Sequence, residues 1–413
     1  MTTDSIRLTD LAKPQFCPEI IAIRSVMTGM ADDLDFDPDA MRAKAIAEVE
    51  LEDFGGEDYV EPFVILAGAV DHSKIISPVG RFMMHAQLMQ LLKNRLLLAD
   101  LLTRHPEIHD IEIVRPIIIC GLPRTGTTHL HNLMAADPAL RSLPYWESLE
   151  PIPLPAEADV EPDPRLERCE MGLEFVNQAM PEFNRMHEMT TWHVHEEIQL
   201  LAMDFSTMYF ESIALLPEWR DYYLNHDQTP HYRYMKTALK ALQFLRGGNR
   251  WVLKSPQHLE QFSPLLDTFR DAIFVVTHRE PVAVVTSMAT MAAYTARMYH
   301  DPVDPKLFGR YWADRLEKML GASVRDREKL PAEQSIDVRF GDFMADDIAM
   351  VHRIYDLADQ PFTQQIGEAM SRYMAEHPQG RFGRVDYRSE DVGLDKDDLM
   401  ERFAFYADRF LKD

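Results

Sequence analysis

Residues 116–134 read PIIICGLPRTGTTHLHNLM, and this stretch decides the fold. Its β-branched run, 117–119, predicts a buried strand, since such side chains pack well on a pleated sheet. A tight turn from Gly121 to Gly126 follows, and residues 128–136 predict a helix. Main-chain N–H groups and the positive end of a helix dipole converge in such a loop. We therefore predict that the loop binds a phosphate ester.

The loop departs from the nucleoside-triphosphate P-loop at one position. That motif reads G-x-x-x-x-G-K-[ST], with the lysine on the β- and γ-phosphates and the hydroxyl on Mg²⁺. Gly121 and Gly126 have the same spacing and Thr128 fills the hydroxyl position, but Thr127 stands in place of the lysine. The positive charge lies inside the loop instead, at Arg124. This favours a nucleotide with fewer negative groups at its 5′ end and no metal. A nucleotide kinase or NTPase stays as an alternative.

A second segment, DAIFVVTHREPVAVVTS at 271–287, also predicts a strand followed by a short turn and a helix. Residues 273–277 predict a buried strand, and a helix is predicted from Pro281, because proline suits the first turn of a helix. Arg279 lies at the carboxyl end of the strand, and Ser287 follows eight residues later. Ligands of open parallel sheets bind beyond the carboxyl ends of the strands. We therefore expect the phosphate loop and Arg279 to face one crevice.

Both segments resemble those of the sulfotransferases that use 3′-phosphoadenosine 5′-phosphosulfate. GLPRTGTT (121–128) is similar to their 5′-phosphosulfate loop, in a bacterial branch with P-R-T-G-T-T, and THREPVAVVTS (277–287) is similar to their 3′-phosphate segment. Residues 136–153 and 338–363 are similar to further segments of that branch. The resemblance runs from about residue 117 to the C-terminus. It implies a transferase that uses this donor without a metal and releases 3′-phosphoadenosine 5′-phosphate.

The resemblance also implies which residues bind the donor. They are Pro123, Arg124, Thr125, Gly126, Thr127 and Thr128 for the 5′ end, and Arg279 and Ser287 for the 3′-phosphate. The family closes its nucleotide site with a glycine-basic segment near the C-terminus, and GRFGR (380–384) stands there. Arg381 and Arg384 are therefore predicted to help clamp the 3′-phosphate.

A sulfuryl transfer needs positive charge at the bridging oxygen of the leaving group and a base for the acceptor proton. Arg124 is the best candidate for the first role, assisted by Thr127 and Thr128. Lys254, in WVLKSPQH (251–258), is the other candidate, because it ends a predicted strand where the resembled family often has K-x-P.

Two candidates compete for the base. Glu147, in PYWESLEP, follows the loop helix, and related bacterial sulfotransferases carry a catalytic glutamate in a comparable place. His195, in TWHVHEEIQLL, is the other, with Glu196 or Glu197 orienting its second ring nitrogen. The sequence leaves the choice between them open.

The acceptor is predicted from composition alone. Methionines and aromatic residues cluster at 180–193 and 203–211, and such residues form adaptable apolar pockets. We expect a small hydrophobic alcohol, phenol or lipid that reacts through a hydroxyl; an amine is less favoured. A catalytically inactive nucleotide-binding protein is a further alternative.

The charge and cysteine content limit the partners. A net charge of -24 repels nucleic acid and anionic membranes. Three cysteines without regular spacing predict neither a disulfide framework nor a zinc site. No run reaches the 18 apolar residues of a membrane span, and the N-terminus lacks the pattern of a signal peptide. The cytoplasm is the expected location, and a homodimer is left open.

The order of predicted elements indicates an α/β fold. Strands are expected at 117–120, 251–254, 273–277 and 335–340, separated by helices, which favours a three-layer, P-loop-type parallel sheet flanked by helices. Residues 1–105 read as a helical N-terminal extension, because apolar residues recur at helical spacing in 81–104. Residues 106–413 then form the α/β domain, with a helical insertion around 151–248.

Overall fold

The computed structural model describes residues 4–378 and 380–412. Its strands are β1 (Ser5–Ile6), β2 (Ile117–Cys120), β3 (Leu140–Arg141), β4 (Leu143–Pro144), β5 (Val194–His195), β6 (Arg250–Ser255), β7 (Ile273–His278), β8 (Ser335–Arg339) and β9 (Arg384–Val385). Its helices are α1 (Pro18–Met30), α2 (Pro38–Val49), α3 (Val60–His72), α4 (Pro78–Arg104), α5 (Thr127–Ala135), α6 (Tyr145–Leu149), α7 (Pro164–Ala179), α8 (Ile198–Ala202), α9 (Tyr209–Ile213), α10 (Pro217–Asn225), α11 (Thr229–Arg246), α12 (Phe262–Thr268), α13 (Pro281–Thr295), α14 (Pro305–Asp326), α15 (Phe340–Ala345), α16 (Asp347–Ala358), α17 (Gln364–Glu376), α18 (Lys396–Arg402) and α19 (Ala404–Phe410).

A parallel sheet of five strands, in the order β3-β6-β2-β7-β8, occupies the centre. The strand before the phosphate loop is its middle member, with Ile119 opposite Lys254 on one side and Val275 on the other. The carboxyl ends of β2, β6 and β7 therefore lie side by side. The predicted α/β class, a parallel sheet flanked by helices, is confirmed.

Alternate residues of the middle strand face different hydrophobic clusters. Ile118 and Cys120 belong to a large cluster, whereas Ile117 and Ile119 belong to a smaller one on the opposite face. This is the period of two expected for a strand buried on both faces. Helices α5, α16 and α17 cover the smaller cluster. The sheet is thus the middle of three layers.

The large cluster joins the sheet to the N-terminal helices and to the insertion. It contains Leu88 and Leu92 from α4 and Leu239 from α11, all fully buried. These parts of the chain therefore share one core with the sheet. The boundaries predicted at residues 105, 151 and 248 stay predictions. Among the described residues, no helix combines the length and the apolarity needed to cross a membrane.

The four predicted strands are present, and no end differs from the prediction by more than one residue. The sequence did not indicate the edge strand β3 or the two small sheets, in which β1 pairs with β9 and β4 pairs with β5. Each of these strands has two residues. A segment that short has no periodicity to recognise, so only tertiary contacts define it.

Candidate active site

The phosphate loop joins β2 to α5, and its shape is fixed by the neighbouring strand β7. The Thr125 hydroxyl donates to the Leu122 carbonyl at 2.6 Å and lies 2.7 Å from the Thr277 hydroxyl. A Cβ at Gly121 would lie 1.8 Å from the same Thr277 oxygen. Gly126 has φ of 87°, a conformation that suits glycine. Thr125 is thus used inside the loop, while Pro123, Thr127 and Thr128 line adjoining cavities.

Arg124 stands at the tip of the loop in a left-handed conformation, with φ of 70°. Such a backbone costs a non-glycine residue of the order of 1 kcal/mol and persists only where surrounding contacts hold it. Here the Arg124 Nη1 donates to the Met186 carbonyl at 2.7 Å, and Arg279 Nη1 donates to the Arg124 carbonyl. The two arginines predicted from separate segments are therefore in direct contact.

Arg279 and Ser287 line one cavity, of about 440 Å³, together with Arg124. The Arg279 guanidinium lies 4.1 Å from the centroid of the Phe340 ring, and burial, with the nearby Arg124, lowers its pKa. The Ser287 hydroxyl is buried and has no hydrogen-bond partner in the described part of the chain. Because buried hydroxyls are normally paired, this one is suited to a ligand. We call this space the Ser287 cavity.

Two basic residues that the sequence reasoning missed also line the Ser287 cavity. They are Arg388, which follows β9, and Lys396, the first residue of α18. Both come from the C-terminal segment, some 110 residues beyond Arg279 in sequence, and no local pattern connects them with it. Glu280 lines the cavity too, but its carboxylate accepts hydrogen bonds from the N–H groups of Val282 and Ala283.

A second cavity, of about 480 Å³, adjoins the other side of the loop and is called the Arg381 cavity. Arg124, Thr128 and Arg381 all line it. The Arg381 guanidinium contacts the Glu188 carboxylate, which ties the C-terminal segment to the insertion. The Arg384 side chain is exposed and lines none of the cavities described here. Its backbone pairs with Ser5, where β9 lies beside β1. The structure thus brings Arg381, but not Arg384, to the loop.

The third cavity, of about 320 Å³, is the apolar cavity. Helices α4, α7, α9, α13 and α14 contribute its walls. Its methionines are Met83, Met180, Met186, Met189, Met208, Met288, Met291, Met298 and Met319. Its ionisable lining residues include Arg124, His187, His195, Glu196 and Lys254, and Thr127 and Thr128 of the loop line it too. The cavity therefore combines a mostly apolar wall with a few ionisable groups, two of them cationic.

Lys254 is the buried, next-to-last residue of β6, and its ammonium contacts the Glu196 carboxylate at the cavity wall. Glu197 points the other way: it is fully buried and accepts from the Lys254 N–H at 2.9 Å. Its other oxygen contacts His258 Nε2. Glu196 therefore faces the cavity, whereas Glu197 supports the strand. The sequence alone did not distinguish the roles of these two glutamates.

His195 lies in β5 against the Tyr145 ring, 4.7 Å between centroids. Burial first, then His187 and Lys254, lower its pKa well below the usual value, so the imidazole is neutral at neutral pH. Its Nδ1 is buried without a partner among the described residues. His187, which sequence reasoning missed, lines the same cavity, and burial lowers its pKa to about 3. His193 lies between them, at centroid distances of 5.1 and 5.7 Å.

Glu147 is placed away from these cavities. Its buried carboxylate accepts from Arg141 Nη2 at 2.7 and 2.9 Å and from Arg246 Nη1 at 3.0 Å, and it lines none of the three cavities. The two arginines come from β3 and from the end of α11. Glu147 therefore joins the sheet edge to the insertion. Within the described ranges, no group of three or more His, Cys, Asp or Glu side chains is arranged to hold a metal ion.

The chain is similar to a family model and to solved structures of sulfotransferases. A model of the sulfotransferase family matches residues 116–364. Sulfotransferase STF1 from Mycobacterium tuberculosis superposes with a TM-score of 0.78 at 29% sequence identity, over 89% of this chain and 98% of STF1. Sulfotransferase STF9 from Mycobacterium avium gives 0.80 at 26% identity, over 90% of this chain and 96% of STF9. No curated protein matches the chain.

The match of the family model covers more than half of the chain, including the loop, both strands that flank it and the Arg279 segment. The two mycobacterial structures extend the likeness to nearly the whole fold. The chain is therefore a transferase that belongs to the sulfotransferase family.

Proposed function

We propose that the protein transfers a sulfuryl group from 3′-phosphoadenosine 5′-phosphosulfate to a hydroxyl of a small hydrophobic acceptor. The observation that carries this proposal is the meeting of three cavities at Arg124. Two of them carry arginines suited to phosphate, and the third is apolar. A donor with anionic groups at both ends and an apolar acceptor would thus approach one guanidinium from different sides.

The donor would be held at its 5′ end by the loop. Main-chain N–H groups at the start of α5, the Thr127 and Thr128 hydroxyls and the Arg124 guanidinium would be the partners. Its 3′-phosphate would lie in the Ser287 cavity, where Arg279 supplies charge and the unpaired Ser287 hydroxyl a hydrogen bond. Arg388 and Lys396 would add charge there, and Arg381 would act from the neighbouring cavity.

The acceptor would occupy the apolar cavity with its hydroxyl toward Lys254 and the loop. A hydroxyl suits this position better than an amine, since a protonated amine would lose its hydration beside Lys254 and Arg124, and the Glu196 carboxylate is already paired with Lys254. The methionine-rich wall favours an alcohol, phenol or lipid, because thioethers adapt to irregular apolar shapes.

His195 is the proposed base. It lines the apolar cavity beside Lys254 and is neutral, so it has a free lone pair with which to accept the hydroxyl proton. The bound donor would supply the sulfuryl group, and Arg124 and Lys254 would stabilise the negative charge that develops on the oxygen it leaves. Glu147 is already shared by two guanidinium groups, and we assign it a structural role. The proposed compartment is the cytoplasm, where the hosts of this family make the donor.

Calorimetric titration tests the proposal. The protein should bind 3′-phosphoadenosine 5′-phosphate without a divalent cation and more tightly than ATP with Mg²⁺. Incubation with the sulfuryl donor and a panel of hydrophobic alcohols and phenols should then yield sulfate esters. Preference for ATP with Mg²⁺ would favour a kinase or NTPase, and bisphosphate binding without transfer to any acceptor would favour an inactive nucleotide-binding protein.

A further inference from the structure

The N-terminal strand β1 pairs in parallel with β9, which lies inside the C-terminal segment that borders two of the cavities. The Arg384 N–H donates to the Asp4 carbonyl at 2.9 Å, and the Asp386 N–H donates to the Ile6 carbonyl at 2.8 Å. Residues just before β9 line the Arg381 cavity, and residues just after it line the Ser287 cavity. The pairing of β1 with β9 therefore restrains the residues on either side of β9, which line the two cavities.

A side-chain contact between Arg7 and Asp391 restrains the C-terminal end of the same segment. Arg7 Nε donates to Asp391 Oδ2 at 2.9 Å, and Arg7 Nη2 contacts the other oxygen of that carboxylate. Two parallel hydrogen bonds between a guanidinium and a carboxylate fix orientation as well as distance. Asp391 directly follows the residues that line the Ser287 cavity.

At Gly383, toward the N-terminal end of the segment, three parts of the chain are in contact: the segment itself, the insertion and the N-terminal residues. Arg185 of the insertion donates to the Asp4 carboxylate at 3.1 Å and to the Asp4 carbonyl at 3.3 Å. A Cβ at Gly383 would lie 1.9 Å from Arg185 Nη1 and 2.8 Å from the Asp4 carbonyl oxygen. Gly383 also has φ of 89°. The junction thus leaves no room for a side chain at this residue.

The N-terminal side of these contacts is anchored to the core. Leu8 and Leu11 are buried in the large hydrophobic cluster. Asp10 pairs with Arg297 at 3.0 Å, and Arg297 is almost fully buried. Because residues 8–11 are fixed to the core, residues 5–7 can restrain the C-terminal segment.

We propose that residues 5–7 are positioning residues for the nucleotide. They hold residues 380–391 against the Ser287 and Arg381 cavities and so set how fast the bisphosphate leaves. This inference rests on the proposed function, because it needs a nucleotide in those cavities. No residue of 380–391 lines the apolar cavity, so loss of the contact is expected to affect the nucleotide far more than the acceptor.

The test compares Arg7→Ala with Arg409→Ala in the full chain. Arg409 is a matched control, since it also makes a surface ion pair, with Glu328, and its side chain is 47% exposed against 45% for Arg7. In Arg7→Ala, the dissociation rate of 3′-phosphoadenosine 5′-phosphate and the KM for the sulfuryl donor should rise about tenfold. The KM for the acceptor should stay within twofold. Arg7→Lys should recover part of the loss, and Gly383→Ala should act in the same direction as Arg7→Ala.

The outcomes separate this inference from the proposed function. Wild-type protein that does not bind the bisphosphate would overturn both. If the wild type binds and the nucleotide leaves Arg7→Ala at the wild-type rate, only the positioning role is lost. Equal changes in the donor and acceptor KM, or the same change in Arg409→Ala, would also overturn it. Should Gly383→Ala fail to fold, Arg7→Ala decides alone.

Discussion

Two side chains that the sequence offers as the base have opposite surroundings in the structure. His195 borders the apolar cavity, whereas Glu147 is enclosed by two guanidinium groups. We expect His195→Ala to lower kcat at least 100-fold, because a positioned base contributes about 10²–10⁴-fold, with donor affinity nearly unchanged. Steady-state kinetics with calorimetric donor binding would check this. A kcat within threefold of wild type would rule His195 out.

Glu147→Gln should have a different result. Removing the charge leaves Arg141 and Arg246 without their carboxylate, and breaking a buried pair costs about 3–5 kcal/mol. Because Arg246 is partly exposed, we expect the lower end of that range. The variant should lose free energy of unfolding, measured by chemical denaturation, and the folded enzyme should keep its kcat. Loss of kcat at unchanged stability would instead return Glu147 to the catalytic site.

Ser287→Ala tests the 3′-phosphate position. A hydrogen bond to a charged group contributes about 1.5–3 kcal/mol, so binding of the bisphosphate should weaken roughly 10- to 150-fold. Adenosine 5′-phosphate, which has no 3′-phosphate, should bind both proteins alike in calorimetry. The substitution should not lower stability, because the hydroxyl it removes has no partner among the described residues. An equal loss for both nucleotides would place the 3′-phosphate elsewhere.

At the scale of elements, the phosphate loop depends on its close fit to β7. Gly121→Ala would place a methyl group 1.8 Å from the Thr277 hydroxyl oxygen and 2.8 Å from Thr127 Cγ2. Overpacking of this kind costs about 1–3 kcal/mol and would shift the loop. Thermal unfolding should show the loss, and donor affinity should fall with it. Gly341→Ala, in α15 with nothing within 4 Å, is the control and should be neutral or slightly stabilising.

Some parts of the fold and the candidate site could be predicted from the sequence, and others could not. The loop, β7 and Arg279 were predictable because strand, turn and helix signals stand next to each other in the chain. The partners of Glu147 were not, since Arg141 and Arg246 come together only when the sheet edge meets the insertion. The same is true of His187, Arg388 and Lys396. Local patterns indicate elements and their ends, whereas contacts between distant segments decide which polar side chains remain available to a ligand.

At the scale of the whole molecule, buried histidines should make the fold sensitive to acid. Burial lowers the pKa of His85, His131, His187, His193, His195, His226, His278 and His300, to about 4 in His131. The unfolded chain takes up protons on these residues from about pH 6.5 downward, and the folded chain does so only at lower pH. Stability is therefore complete above that value and is lost as the pH falls.

Each fully buried histidine should cost up to about 1.4 kcal/mol per pH unit below 6.5. Urea denaturation at pH 7.5 and 5.5 should thus show a drop of several kcal/mol. In His187→Gln the pH dependence should be smaller, since one of the titrating groups is gone. A free energy of unfolding that does not change between these pH values would contradict the expectation.

The hydrogen bond from Arg279 to the carbonyl of Arg124 links the two residues that we propose bind the two ends of the nucleotide. A phosphate that draws the Arg279 guanidinium toward itself also acts on the peptide unit at the tip of the loop. By thermodynamic reciprocity, occupancy of one end then alters the grip on the other. We therefore expect an analogue shortened at either end to lose more affinity than its missing contact alone would explain, and adenylates that lack either anionic group to bind more weakly than a sum of separate ion pairs would give.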